Sequence, residues 1–174
     1  MTAVAARADE DSLSRAQRGD HDAFAAIISD YQSVVFGIAY HFFNDRAVAE
    51  EIAQDVFLQL YRNLAAIHSR RHLLYWLRQV TSRKCIDETR RSGPKRVNLD
   101  DVDVAVMPNI TDPLIARRLQ ERIAALPGIQ RLVLTLRYQE ELGPVEIGLL
   151  VGMPENTVKS YLHRALTALR KEFE

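Results

Sequence analysis

An all-α fold is predicted by three observations. Glycine is scarce, at 7 of 174 residues. β-branched alternation of the kind a half-buried strand needs is sparse. Long stretches instead repeat apolar residues at helical spacing. The clearest of these is Asp45–Leu64, DRAVAEEIAQDVFLQLYRNL. Asp45 is a good N-cap, and no Gly or Pro interrupts the residues up to Leu64. Ala49, Ile52, Ala53, Val56, Phe57, Leu60 and Leu64 fall on one wide stripe, which is therefore core. Advancing about 100° per residue gathers Glu51, Gln54, Asp55, Leu58 and Arg62 on the opposite side. A large apolar residue centred among acids and an amide is either a stray exposed leucine or the middle of a docking face. Spacing alone leaves both open.

The length suits one domain or two small ones, and 47% hydrophobic residues suffice for their cores. Lys+Arg 23 balances Asp+Glu 23, so net charge says nothing about nucleic acid. The distribution says more. From His68 to Arg96 there are nine Lys/Arg against two acids, whereas Val97–Pro113 holds four acids and no base. The single cysteine, Cys85, excludes an internal disulfide framework and fits a reducing compartment. MTAVAARADEDS lacks the apolar core of a signal peptide, and no segment approaches the roughly 18 apolar residues of a membrane span. A cytoplasmic chain without a membrane segment of its own is expected.

Taken in order, residues 1–10 are small and polar, and a short helix is expected over Ser12–Arg18, stopped by Gly19. Asp20 caps a long amphipathic helix in which Phe24, Ile27, Ile28, Tyr31, Val34, Val35, Ile38 and Phe42 recur at helical spacing, and Asn44 ends it. After Asp45–Leu64 comes a short loop, Ala65–His68, and Ser69 caps a helix running to about Arg91. Leu73, Leu74, Trp76, Leu77 and Val80 form its core side; Arg71, Tyr75, Arg78, Gln79, Ser82, Arg83 and Arg90 lie broadly opposite. Cations around an aromatic suit phosphates and unstacked bases, although an ordinary solvated face has the same composition.

Ser92-Gly93-Pro94 breaks that helix, and residues 93–111 carry two prolines and no sustained period, which reads as a flexible linker. Asp112-Pro113 opens a second domain as N-cap and first helical residue. Helices are expected over Leu114–Ala125, Ile129–Tyr138, Pro144–Val151 and Pro154–Phe173, the last two separated by Gly152-Met153. This short helix, tight turn and longer helix form a helix–turn–helix signature. Val158, Leu162, Ala165, Leu166, Leu169 and Phe173 make the inner stripe of the last helix. Asn156, Lys159, Ser160, His163, Arg164, Thr167, Arg170 and Lys171 point outward. An amide, short hydroxyls and cations near a helix N-terminus are what major-groove reading needs, though a helical hairpin without a DNA role has the same periodicity.

Other candidates carry less. His68 and His72 are spaced i,i+4, but no Cys or second His pair completes a metal shell. Cys85 beside Lys84 is better read as a buried thiol than as a reactive one. There is no Gly-rich phosphate loop, nucleophile motif or carboxylate pair on a catalytic scaffold. No enzyme, cofactor or metal is expected.

Two separated stretches together resemble one family. DRAVAEEIAQDVFLQLYRNL resembles region 2.2 of bacterial RNA polymerase sigma factors of the extracytoplasmic-function (ECF) group of the sigma-70 family. RGDHDAFAAIISDYQSVVFGIAY resembles region 2.1, and YWLRQVTSRKCIDETRR regions 2.3 and 2.4. LPGIQRLVLTLRYQEELGPVEIGLLVGMPENTVKSYLHRALTALRKEF is similar to region 4. The resemblance covers about residues 12–172. It implies a region 2 domain over 12–92, a linker over 93–111 and a region 4 domain over 112–174. Such a chain binds core RNA polymerase and directs initiation at selected promoters.

Carried onto these residues, the resemblance implies docking on the clamp helices of the largest polymerase subunit through Glu51, Gln54, Asp55, Leu58 and Arg62. The melted -10 strand would meet His68, Arg70, Arg71, Tyr75, Arg78, Gln79, Ser82, Arg83, Asp87 and Arg90. The -35 duplex would meet Asn156, Thr157, Lys159, Ser160, His163 and Arg164. The second domain would rest on the flap of the other large subunit, and acidic Asp100, Asp101 and Asp103 would suit a basic channel. An anti-sigma factor is the further partner implied. Nothing long comes after Phe173, so a fused regulatory domain is not expected. Arg83 stands where the family often has Asn, Asn156 where it often has Gly, and Tyr161 where it often has Arg. Gly148 replaces a helix-favouring Ala and is expected to weaken its helix by about 1 kcal/mol. A polymerase-independent helix–turn–helix regulator is the alternative; it would ordinarily need a dimer, and no dimerisation heptad is evident. A helical adaptor without DNA contact fits the basic block poorly.

Overall fold

The computed structural model describes residues 12–93 and 112–171, and every regular element among them is helical. Residues 12–17 form α1. The rest of the first group is α2 (His21–Phe43), α3 (Arg46–Asn63), a 3₁₀ turn (Leu64–Ala66) and α4 (Arg70–Ser92). The second group is α5 (Pro113–Ala125), α6 (Gly128–Tyr138), α7 (Pro144–Val151) and α8 (Glu155–Arg170). The expected linker, apart from Gly93, and Phe173 lie outside the described residues.

Local chemistry sets the helix ends. The Asp20 side chain accepts from the Asp22 and Ala23 N–H groups and starts α2. The Ala23 N–H first, and then Arg15, hold this carboxyl below its ordinary range. Asn44 closes α2 in the left-handed conformation at φ 49°, which its short amide side chain tolerates. Asp45 caps α3 through the Val48 N–H, and Ser69 caps α4 through the His72 N–H, each worth about 1 kcal/mol. The expected loop after α3 is tighter than an open loop. Leu64–Ala66 winds as a 3₁₀ turn, and Gln17 Nε2 donates to both the Leu64 and Ile67 carbonyls, tying α1 to it.

α2 is the central helix of the first group and packs against both α3 and α4. Its composition alone would let it cross a bilayer, with mean hydropathy 1.3, yet Ile27, Tyr31, Val35, Ile38 and Phe42 are buried against neighbouring helices. Val35, Ile38, Val56, Leu60 and Leu77 lose essentially all exposure; each such side chain contributes on the order of 1.5–3 kcal/mol. The α3 stripe is buried at Ala49, Ile52, Val56, Phe57 and Leu60, while Ala53 is half-buried and Val48 joins the core.

In the second group α8 packs on α6 and α7, with Val158 and Ala165 wholly buried and Leu162, Leu166 and Leu169 partly so. The α7–α8 turn corrects one expectation. A Cβ on Gly148 would lie 2.5 Å from the Met153 carbonyl oxygen. The chain returns there because the Met153 N–H donates to the Gly148 carbonyl at 2.9 Å. Glycine at 148 is thus required by the turn, and its helix propensity is the smaller effect.

The two groups meet. α6 packs against α2 and α4, and α7 packs against α4, so one apolar cluster runs through both. Arg131, on α6, lies with its guanidinium 4.9 Å from the centre of the Phe42 ring and donates to the Phe42 carbonyl. It also donates to the Ala124 and Leu126 carbonyls that end α5.

Candidate protein and nucleic-acid interfaces

The outer side of α3 carries Glu51, Gln54, Asp55, Leu58 and Arg62, all exposed. Leu58 stands 57% exposed at its centre. Because the opposite side of this helix fills the core, the leucine has no room to turn inward. Asp55 is partly engaged, accepting from Lys84 Nζ of α4 at 3.1 Å. Tyr61, missed by the sequence reading, is 50% exposed beside this face. Its ring packs edge-on against Phe24, with centroids 5.2 Å apart, and stacks near His21. Its place three residues after Leu58 was the available signal.

The face expected on α4 divides. His68, Arg71, Arg83, Asp87 and Arg90 are exposed. The His68 N–H donates to His72 Nδ1, and the two rings stack. That bond occupies one imidazole nitrogen, and no cluster of three metal-binding side chains occurs among the described residues. Arg70 turns back to the first bundle: its Nε donates to Tyr31 Oη at 2.7 Å, and Asp30 lies 3.3 Å away. Burial raises the Tyr31 hydroxyl above the ordinary phenol range, so it remains a neutral acceptor.

Tyr75, Arg78, Gln79 and Ser82 face the second helical group. Tyr75 Oη donates to the Leu149 carbonyl at 2.9 Å, and Gln79 Nε2 lies 3.4 Å from the same hydroxyl. Arg78 reaches Glu140 Oε2 at 2.9 Å through both Nε and Nη2. Burial pushes the Glu140 carboxyl up, and the Arg78 hydrogen bond and charge oppose that shift without cancelling it. Ser82 corrects the expected outward position. It is only 2% exposed, and its Oγ has no partner among the described residues. The single-face reading failed because α4 packs on both sides, against α2 and α3 on one and α6 and α7 on the other.

On α8, Asn156, Lys159, Ser160, His163 and Arg164 are exposed, and Thr157 is half-buried. Ser160 Oγ donates to the Asn156 carbonyl, and Lys159 pairs with Glu155. The outward residues share the side of α8 away from Val158 and Ala165. They offer amide, hydroxyl and cationic groups along one rigid rod, as a groove-reading helix does.

Comparison with known proteins accounts for both groups. Sigma-70 region 2 matches residues 27–94, and Sigma-70 region 4 matches residues 116–169. Over 177 aligned residues, covering 92% of this chain and 94% of the relative, it is 30% identical to the ECF RNA polymerase sigma factor SigW of Bacillus subtilis. The chain belongs to the ECF group of the sigma-70 family. This sigma factor is also 29% identical to the ECF RNA polymerase sigma factor SigK of Mycobacterium tuberculosis H37Rv, across 93% of the chain and 92% of the relative. Its fold is shared with CnrH, solved in complex with the cytosolic domain of CnrY, at a TM-score of 0.67 and 18% identity. That likeness covers 95% of this chain and 97% of CnrH. In the sigma factor, the region 2 match spans most of α2 and all of α3 and α4. The region 4 match takes in most of α5 and the helix–turn–helix.

Proposed function

We propose that the chain carries core RNA polymerase to selected promoters, docking through α3, holding the melted -10 strand on α4 and reading the -35 duplex with α8. The observation that carries this reading is the exposed Leu58 amid Glu51, Gln54, Asp55 and Arg62, on a helix whose other side is wholly committed to the core. An apolar centre with a polar rim is the anatomy of a protein interface. The partner for that face is the clamp-helix coiled coil of the largest subunit; region 4 rests on the flap of the second large subunit. The chain itself acts as a binding factor and leaves the chemistry to polymerase.

Unstacking each base costs a few kcal/mol, which an aromatic and cationic surface on α4 offsets. His68, Arg71, Tyr75, Arg78, Gln79, Arg83 and Arg90 supply it, while Arg70 positions the start of α4 through Tyr31. On the duplex, Asn156, Thr157, Lys159, Ser160, His163 and Arg164 divide base-edge and phosphate contacts. Neither domain needs high intrinsic affinity, since docking on polymerase raises the effective concentration of both. A regulatory anti-sigma factor is the second partner, in keeping with a fold neighbour, CnrH, solved bound to a protein domain. The test is transcription from a genomic promoter library by purified core polymerase with and without the chain. Chain-dependent initiation at a subset of promoters is expected; none at any promoter overturns the reading.

A further inference from the structure

We infer that the segment joining α6 to α7 is an internal occupant of the strand-binding face of α4, with the Glu140 carboxylate sitting on Arg78 where a DNA phosphate would sit. The inference rests on the function proposed above and concerns the regulation of that same face. Both Nε and Nη2 of Arg78 point at one Glu140 oxygen, and the two side chains are 20% and 10% exposed. A phosphate oxygen offers a guanidinium the same charge and acceptor geometry. Three residues before Arg78, Tyr75 spends its hydroxyl on the Leu149 backbone carbonyl. The Leu149 side chain stays 68% exposed, while Ile147 and Leu150 of the same helix are buried in the apolar cluster shared by the two groups, so this polar contact adds to apolar packing.

The seam has the marks of a surface built for another occupant. Among the described residues, Ser82 Oγ is buried beside it without a hydrogen-bond partner, a loss that a permanent interface would ordinarily remove. A cavity of about 370 Å³, lined by Gln79, Ser82, Arg83, Ile129 and Met153 among others, remains between the two groups. Among the described residues, nothing covers the outer faces of α3 and α8 at the same time. The closed chain therefore presents its polymerase-docking leucine and its duplex-reading helix while withholding the middle of its single-strand face. Strand capture and closure use the same groups and exclude each other. Region 4 must swing away from α4 before bases can be held there.

The test uses the full chain, Glu140→Lys and the isosteric Glu140→Gln, with far-UV circular dichroism as a folding control. Small-angle X-ray scattering reads the separation of the domains. Fluorescence anisotropy reads binding of a mixed-sequence single-stranded DNA of roughly 12 nucleotides. The wild-type chain is expected to be compact. Glu140→Lys is expected to be expanded and to bind the strand roughly tenfold more tightly, with Glu140→Gln between them. Equal compactness and equal strand affinity in all three folded proteins overturn the inference, as does an expanded wild-type chain. If Glu140→Lys loses helicity, Glu140→Gln decides alone. Initiation by core polymerase is assayed separately: an active wild-type chain with no difference among variants removes the latch and keeps the function. A compact wild-type chain that opens in the variants but never directs initiation keeps the latch and removes the function.

Discussion

Glu141 holds φ at 55°, in the left-handed region, one residue before Leu142 donates its N–H back to the Leu136 carbonyl. Glycine adopts this conformation without the Cβ penalty, so Glu141→Gly is expected to raise stability by roughly 0.5–1 kcal/mol, read by urea unfolding. Gly148→Ala goes the other way. The new methyl meets the Met153 carbonyl, and a loss of about 1–3 kcal/mol is expected in the same measurement. Helix propensity predicts the opposite sign for that change. It was the only guide the sequence offered, because the contact that decides the matter comes from a turn five residues away. Cys85 was easier to read: it is wholly buried, and desolvation pushes its thiol up, the condition of an inert cysteine.

At the scale of elements, α3 was the most legible. It has core on one side and solvent on the other, so its capping residue, core stripe and polar face could all be placed from spacing. Leu58→Glu is expected to abolish binding to core polymerase while leaving far-UV helicity unchanged; loss of helicity would show that the face is core. Asp55→Lys should act in the same direction, although it also breaks the contact with Lys84, so the leucine variant is the cleaner one. The helix α4 was half legible. Its basic residues were found, but a helix enclosed by two groups has no one polar side, and Ser82 went inside where an outward position was expected. For α8, Arg164→Ala is expected to weaken binding to -35 duplex by about 1–3 kcal/mol, read by anisotropy. Unchanged affinity would remove Arg164 from the interface.

For the whole molecule, the all-α class and the two helical groups were readable from period and from the Ser92-Gly93-Pro94 break. How the groups meet was not, because the junction joins residues far apart in sequence, through the Tyr75–Leu149 and Arg78–Glu140 contacts and an apolar cluster shared by both groups. His41 reports on that junction. It lines a cavity of about 240 Å³ where the end of α2 meets α5, α6 and α8, and burial lowers its imidazole below the ordinary value. A depressed histidine stabilises the fold above the unfolded value, about 6.5, and that stability is lost as pH falls through it toward the folded value. The melting temperature is therefore expected to drop between about pH 7.5 and 5.5, and His41→Asn to flatten the drop. Arg131 determines how such a junction can part. Two of its three carbonyl acceptors belong to its own helical group, at the end of α5, and only the Phe42 carbonyl and ring lie across the seam. Separation costs Arg131 one hydrogen bond and one ring contact, besides the Tyr75 and Arg78 contacts and the shared apolar cluster, while its guanidinium goes on bracing the α5–α6 corner. In the opening inferred above, Arg131 would act as a hinge pin fixed in one leaf, carried with region 4 by its bonds to the Ala124 and Leu126 carbonyls.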